Sequence, residues 1–268
     1  VSYTYGIIPA IAATLPEAAI QGLLNNPRVT AVELDEPVYA VADAELDNSW
    51  GVKRIGAGTV HTGGNTGLGI KIGIIDSGIN YDHPDLDGVY VASGSYDFVQ
   101  NDNDPMDVYG HGTHVAGTAC AEDNGFGVVG VAPKCALYAL RVLNDDGVGQ
   151  WSRVIAAMDW AVTKQLQVVN LSLGSSKDPG TAVKTAFDNA EARGIVIVAA
   201  AGNSGNAAGK GSNIIYPAKY ASVIAVGATD SNDKRASFSS TGSTLELMAP
   251  GVSVLSTWND STSPHNPQ

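Results

Sequence analysis

Asp76 closes the apolar run Ile74-Ile75-Asp76-Ser77-Gly78-Ile79, and 35 residues later His111 stands in Gly110-His111-Gly112-Thr113-His114-Val115-Ala116-Gly117-Thr118. A carboxylate that fixes an imidazole tautomer and stabilises its protonated form makes that ring a general base. Alone, an aspartate at a strand end is an ordinary turn or helix cap. Here a buried carboxylate needs a partner, and the glycine-flanked histidine opening a small-residue helix is its natural one. A third group has the right chemistry. The run Ala199-Ala200-Ala201-Gly202-Asn203 leaves a buried strand through small residues and stops at an amide. Such an amide donates to the oxyanion that develops in acyl transfer, although a plain turn is the alternative. His111 and His114 are three apart and could share a metal, but zinc needs a third ligand and only His83 is near in sequence. His114 is therefore expected as a packed helix residue.

These groups need a scaffold that brings distant segments together. Apolar runs at 70–75, 136–143, 168–173, 195–200 and 223–226 read as strands, with helices over 113–120, 151–164 and 181–193. Short β-branched strands alternating with helices predict an α/β fold: a mostly parallel sheet with helices on both faces. Active groups in such sheets gather at the carboxyl ends of the strands, where Asp76, Leu173-Gly174 and Gly202-Asn203 all fall. The first forty-odd residues form a separate small α+β unit. Strands are expected at 1–8 and 29–34 around a helix that starts near Thr14-Leu15-Pro16-Glu17, whose spacing suggests a capping box. An extended segment, Val38–Ala42, follows.

A chain of 268 residues with 44% hydrophobic content and 31 glycines suits one large domain plus an appendage. The formal charge of −12 argues against nucleic acid and anionic membrane as partners. No apolar run approaches the roughly 18 residues that span a bilayer. Cys120 and Cys135 lie among small apolar residues and are expected as separate buried thiols, with pairing as the alternative.

The five stretches 74–79, 111–118, Asn170-Leu171-Ser172-Leu173-Gly174, 200–203 and Met248-Ala249-Pro250-Gly251-Val252 resemble the motifs of subtilisin-like serine proteases, in that family's order. The resemblance implies a three-layer subtilisin-like fold over residues 43–268 and a serine endopeptidase acting on polypeptides. Asp76 would orient the base His111, and Asn203 would donate to the oxyanion. It further implies that Gly147, Val148 and Gly149 pair with an extended substrate. Ser172, Leu173 and Gly174, with Ala200, Ala201 and Gly202, would wall the pocket for the side chain before the scissile bond. Small walls leave room there for large apolar side chains. By the same resemblance Ca2+ would be held by Asp85, Asn124 and the carbonyls of Glu122, Phe126 and Val128. A second cation is conceivable over Asn101–Asp107, which is otherwise a solvated loop.

Residues 1–42 resemble part of the family's propeptide, an inhibitor and folding chaperone whose tail would lie in the cleft. Processing is expected between about Tyr39 and Asp47. Secretion and a monomeric state are implied as well. The family's Gly-Thr-Ser segment has no match after Trp258. Thr262-Ser263-Pro264-His265 echoes it, but a proline after Ser263 opposes a helix start. The nucleophile segment is therefore expected to be lacking from this stretch. An incomplete piece of a protease is the main reading and a non-catalytic peptide-binding relative the alternative.

Overall fold

The computed structural model describes residues 1–35, 50–124 and 127–259, together with the backbone of 37–40. Seven strands form one all-parallel sheet in the order β12-β11-β10-β8-β4-β6-β5. They are β4 (Lys71–Asp76), β5 (Tyr96–Asp97), β6 (Ala136–Arg141), β8 (Val168–Leu171), β10 (Val196–Ala200), β11 (Ile224–Thr229) and β12 (Leu247–Pro250). Alternation along β4 divides the core. Ile75 packs in the cluster that holds Met158 of α5 (Trp151–Thr163) and Phe187 of α6 (Thr181–Glu191). Ile74 packs on the opposite face with Ala116 and Cys120 of α4 (His111–Cys120). Helices thus cover both faces, and the expected α/β three-layer arrangement is the one found. The chain runs from β4 to β5 and β6 on one side, then crosses to β8 on the other. That reversal places the end of β4 at a topological switch point, where open α/β sheets form their clefts.

The N-terminal unit differs from expectation. Only Tyr3–Thr4 (β1) and Ile11–Ala12 (β2) pair, as a short antiparallel hairpin, instead of one strand over 1–8. Residues 29–34 form no strand among the described residues. Glu33 and Asp35 there reach across to helix starts: Glu33 Oε1 accepts from Thr181 N–H at 2.9 Å, and Asp35 Oδ1 accepts from Ser152 N–H at 2.6 Å. The capping box is not made either. Helix α1 (Glu17–Leu24) is capped by Pro16, so Glu17 is its first residue and cannot fold back from a third position. Ile7 and Ile8 are buried in the main core, which anchors the unit. Its chain continues as β3 (Pro37–Ala40).

The two cysteines are joined, not separate thiols. Cys120 ends α4 and Cys135 precedes β6, their Cα atoms 6.2 Å apart across a disulfide. The link between them folds back on the helix end: Val131 N–H donates to Thr118 O at 3.1 Å and Ala132 N–H to Ala119 O at 2.8 Å. Both sulfurs meet through that return, which the 15-residue spacing conceals. No described helix is long and apolar enough to cross a membrane.

Candidate active site

Asp76 ends β4 fully buried, and His111 is the first residue of α4. Nδ1 of His111 donates to Asp76 Oδ1 at 2.8 Å, and the same oxygen accepts from Ser77 N–H at 2.7 Å. Oδ2 is buried with no hydrogen-bond partner among the described residues, so the imidazole is the ring that answers this carboxylate. The glycines around His111 have separate causes. Gly110 caps α4 with φ of 98°, a left-handed conformation that L side chains resist. A methyl group on Gly112 would lie 2.1 Å from Gly78 O and 3.2 Å from Asp76 Cβ. The helix can therefore approach the strand end only without a side chain there.

Asp107 is a contributor that the sequence does not single out: it belongs to the acidic loop, yet it is buried and ties down the start of α4. Its Oδ1 accepts from Gly110 N–H at 2.9 Å, and its Oδ2 from Thr113 N–H at 2.8 Å and Thr113 Oγ1–H at 2.7 Å. Burial pushes its pKa up, and those bonds pull it back. An aspartate four residues before a helix-opening histidine was the available signal. Within the same loop Asp104 accepts from Tyr81 OH at 2.6 Å and Asp102 from Asp104 N–H at 3.0 Å. Among the described residues no group of three or more metal-type side chains converges.

Gly202, at φ 103°, turns the chain out of β10 and exposes Asn203. Asn203, Gly202, Ala200, Ser172 and His111 border one cavity of about 740 Å3 between the sheet and α4. Its remaining wall is largely apolar and includes Val115, Val198 and Trp258. Strand β3 lies in the adjoining cleft, antiparallel to two neighbours at once. Pro37, Val38 and Tyr39 face Gln150, Gly149 and Val148 of β7 (Val148–Gln150). Tyr39 and Ala40 face Gly174 and Leu173 of β9 (Leu173–Gly174). Val148, Gly149, Leu173 and Gly174 thus hold an extended backbone. Gly147 instead forms the turn before β7, its φ of 72° placing it against Tyr109.

The room expected between Gly174 and Gly202 is filled by Ile215. Its side-chain carbons come within 2.7 Å of a methyl group placed on Gly174 and 3.0 Å of one on Gly202. Ala201 is buried behind that wall and donates its N–H to Val226 O at 2.8 Å.

Of the expected cation ligands, Asp85 is fully buried. Its Oδ2 accepts from Val128 N–H at 2.9 Å, and Asn124 Nδ2 stands 3.4 Å from its Oδ1 and 3.0 Å from Pro84 O. Among the described residues the donors on this buried charge are neutral amides, and the group is built of hard oxygens and one rotatable amide, which suits a calcium ion. Glu122 contributes its backbone, N–H to Asp85 O at 2.9 Å, while its carboxylate accepts from Gly88 N–H at 2.7 Å. Phe126 and the processing region 41–49 lie outside the described residues.

The sequence model of the Subtilase family matches residues 67–268. Subtilisin E of Bacillus subtilis (strain 168) is 46% identical over 251 residues, covering 93% of this chain and 64% of that protein. Subtilisin DY of Bacillus licheniformis is 52% identical over 213 residues, 80% of this chain and 76% of the relative. An alkaline protease of Alkalihalobacillus alcalophilus is 40% identical over 260 residues, 97% and 65% of the two chains. The chain thus spans about two thirds of the length of several relatives it matches.

Proposed function

This chain belongs to the subtilase family, and on that premise we propose that it is a serine endopeptidase cleaving proteins through an acyl-enzyme. The observation that carries the reading is the 2.8 Å pairing of His111 with buried Asp76 beside a cleft that already holds an extended backbone. A serine hydroxyl attacks the peptide carbonyl carbon while His111 Nε2 takes its proton. Asp76 keeps the other ring proton on Nδ1 and stabilises the charged ring. Asn203 donates to the oxyanion. As the C–N bond breaks, His111 passes its proton to the departing amine, and water then releases the acid by the same relay. No described residue is assigned as the serine. Its hydroxyl has to reach the cavity that His111 and Asn203 border.

Residues 1–42 are read as an inhibitory, folding-assisting segment and 43–268 as the peptidase domain. Helix caps from Glu33 and Asp35, the buried Ile7 and Ile8, and the pairing of β3 between β7 and β9 support this. Recognition by main-chain pairing suits polypeptide substrates of varied sequence. Asp85, Asn124 and the carbonyls of Glu122 and Val128 would hold Ca2+, which takes no part in bond cleavage and braces the loop behind α4. Secretion fits the disulfide, which persists in oxidising compartments.

Protein expressed from its complete coding sequence should hydrolyse casein and react with a fluorophosphonate, and His111→Ala should abolish both. A folded protein that does neither overturns the endopeptidase reading. If a labelled peptide with the sequence of β3 still binds it, a non-catalytic peptide-binding function takes its place, as the paired β3 favours.

A further inference from the structure

We propose that Ile215 closes the floor of the cleft and restricts the residue before the scissile bond to small side chains such as alanine and valine. This rests on the endopeptidase reading, which assigns Gly174 and Gly202 to the two walls that flank that residue. Both glycines face the same isoleucine. Its Cδ1 would be 2.7 Å from a methyl group on Gly174, and its Cγ2 3.0 Å from one on Gly202. The space that two wall glycines leave open is therefore taken by a buried, branched side chain with little rotamer freedom.

The isoleucine cannot swing away with its backbone, because that backbone is stitched to both walls. Ile215 N–H donates to Ala201 O at 3.0 Å, beside Gly202. Tyr216 N–H donates to Ser175 O at 2.9 Å and Ser175 N–H to Tyr216 O at 3.0 Å, beside Gly174. A large aromatic side chain entering from above would have to part these bonds or displace packed atoms.

The test is cleavage of a peptide series that differs only at this residue, by protein expressed from its complete coding sequence. The wild type should prefer alanine or valine over phenylalanine by on the order of tenfold or more in kcat/KM. Ile215→Gly should reverse that order. Ile215→Val, which removes one methyl and keeps the packing, should shift it the same way by less. Equal cleavage after phenylalanine and alanine by the wild type overturns the inference, as does an unchanged ratio in both variants. Should no peptide be cleaved, the endopeptidase reading fails, and labelled tetrapeptides ending in valine or phenylalanine still read the pocket by fluorescence polarisation. Competition from β3 lowers both affinities by one factor, so their ratio reports the floor alone. Preference for valine that Ile215→Val weakens sustains the inference, and equal affinities overturn it.

Discussion

Asp76 serves His111 only while its oxygen stays beside Nδ1 as an acceptor. In Asp76→Asn an amide nitrogen can face that atom, which moves the ring proton to Nε2, where the nucleophile's proton has to go. We expect kcat to fall by about four orders of magnitude while the circular dichroism spectrum stays unchanged. A fall of less than tenfold would remove Asp76 from the mechanism. One turn along α4, His114 has the opposite requirement. Burial, partly opposed by its bond to Val254 O at 3.0 Å, lowers its pKa from 6.5 to about 4. Below pH 6.5 the unfolded chain takes up a proton that the folded chain refuses, so stability is full above that pH and falls as pH drops toward 4. The span corresponds to roughly 3 kcal/mol at most. Urea midpoints between pH 7 and pH 4 should show this loss, with a shallower slope in His114→Gln. The pairing of Asp76 with His111, and the placing of Asn203 at the same cavity, were legible from sequence because the residue types and their neighbours suit them. Asp107 was not, since its role depends on a loop returning to a helix start.

At the scale of elements, α4 works because it lies so close to β4. Gly112→Ala would drive a methyl to 2.1 Å from Gly78 O, and overpacking of this kind costs about 1–3 kcal/mol or more. It should lower the melting temperature and loosen the contact between Asp76 and His111. An unchanged melting temperature would show that the helix has room to shift. The far end of α4 is held by the disulfide. Closing a loop of 15 residues stabilises by about 3 kcal/mol in the chain-entropy account. Cys120→Ala/Cys135→Ala should therefore melt lower than the wild type, and a reductant should affect only the wild type. Strands β4, β6, β8 and β10 were readable within a residue or two and the start of β11 with them, because runs buried on both faces leave an unbroken apolar signature, whereas the edge strands β5 and β12 carry none and were not foreseen. The short hairpin of the N-terminal unit was not. Two paired residues per strand carry no periodicity, and residues 29–35 are shaped by the helix starts they cap rather than by a neighbouring strand.

Over the whole molecule, the loop between α4 and β6 joins three functions: it continues the helix of His111, carries the candidate calcium ligands and is closed by the disulfide. Its acidic side chains suggested a cation in the sequence, and Asp85, distant along the chain, was named there only through the family resemblance; the fold brings it to face Val128 and Asn124. Among the described residues Asp85 is buried without a cationic partner, which weakens the folded state, so an ion that binds only the folded chain should stabilise it by RT ln(1 + [L]/Kd), about 2.7 kcal/mol at a hundredfold excess over Kd. Calorimetric melting in millimolar calcium should exceed that in EGTA, and isothermal titration should detect a site. Asp85→Asn removes the charge while keeping the side-chain shape, so it should abolish the calcium dependence and leave the melting temperature in EGTA unchanged or higher. If that variant retains the full calcium shift, the ion is held elsewhere. If the wild type shows no shift, the loop is stabilised by its disulfide and amide contacts alone.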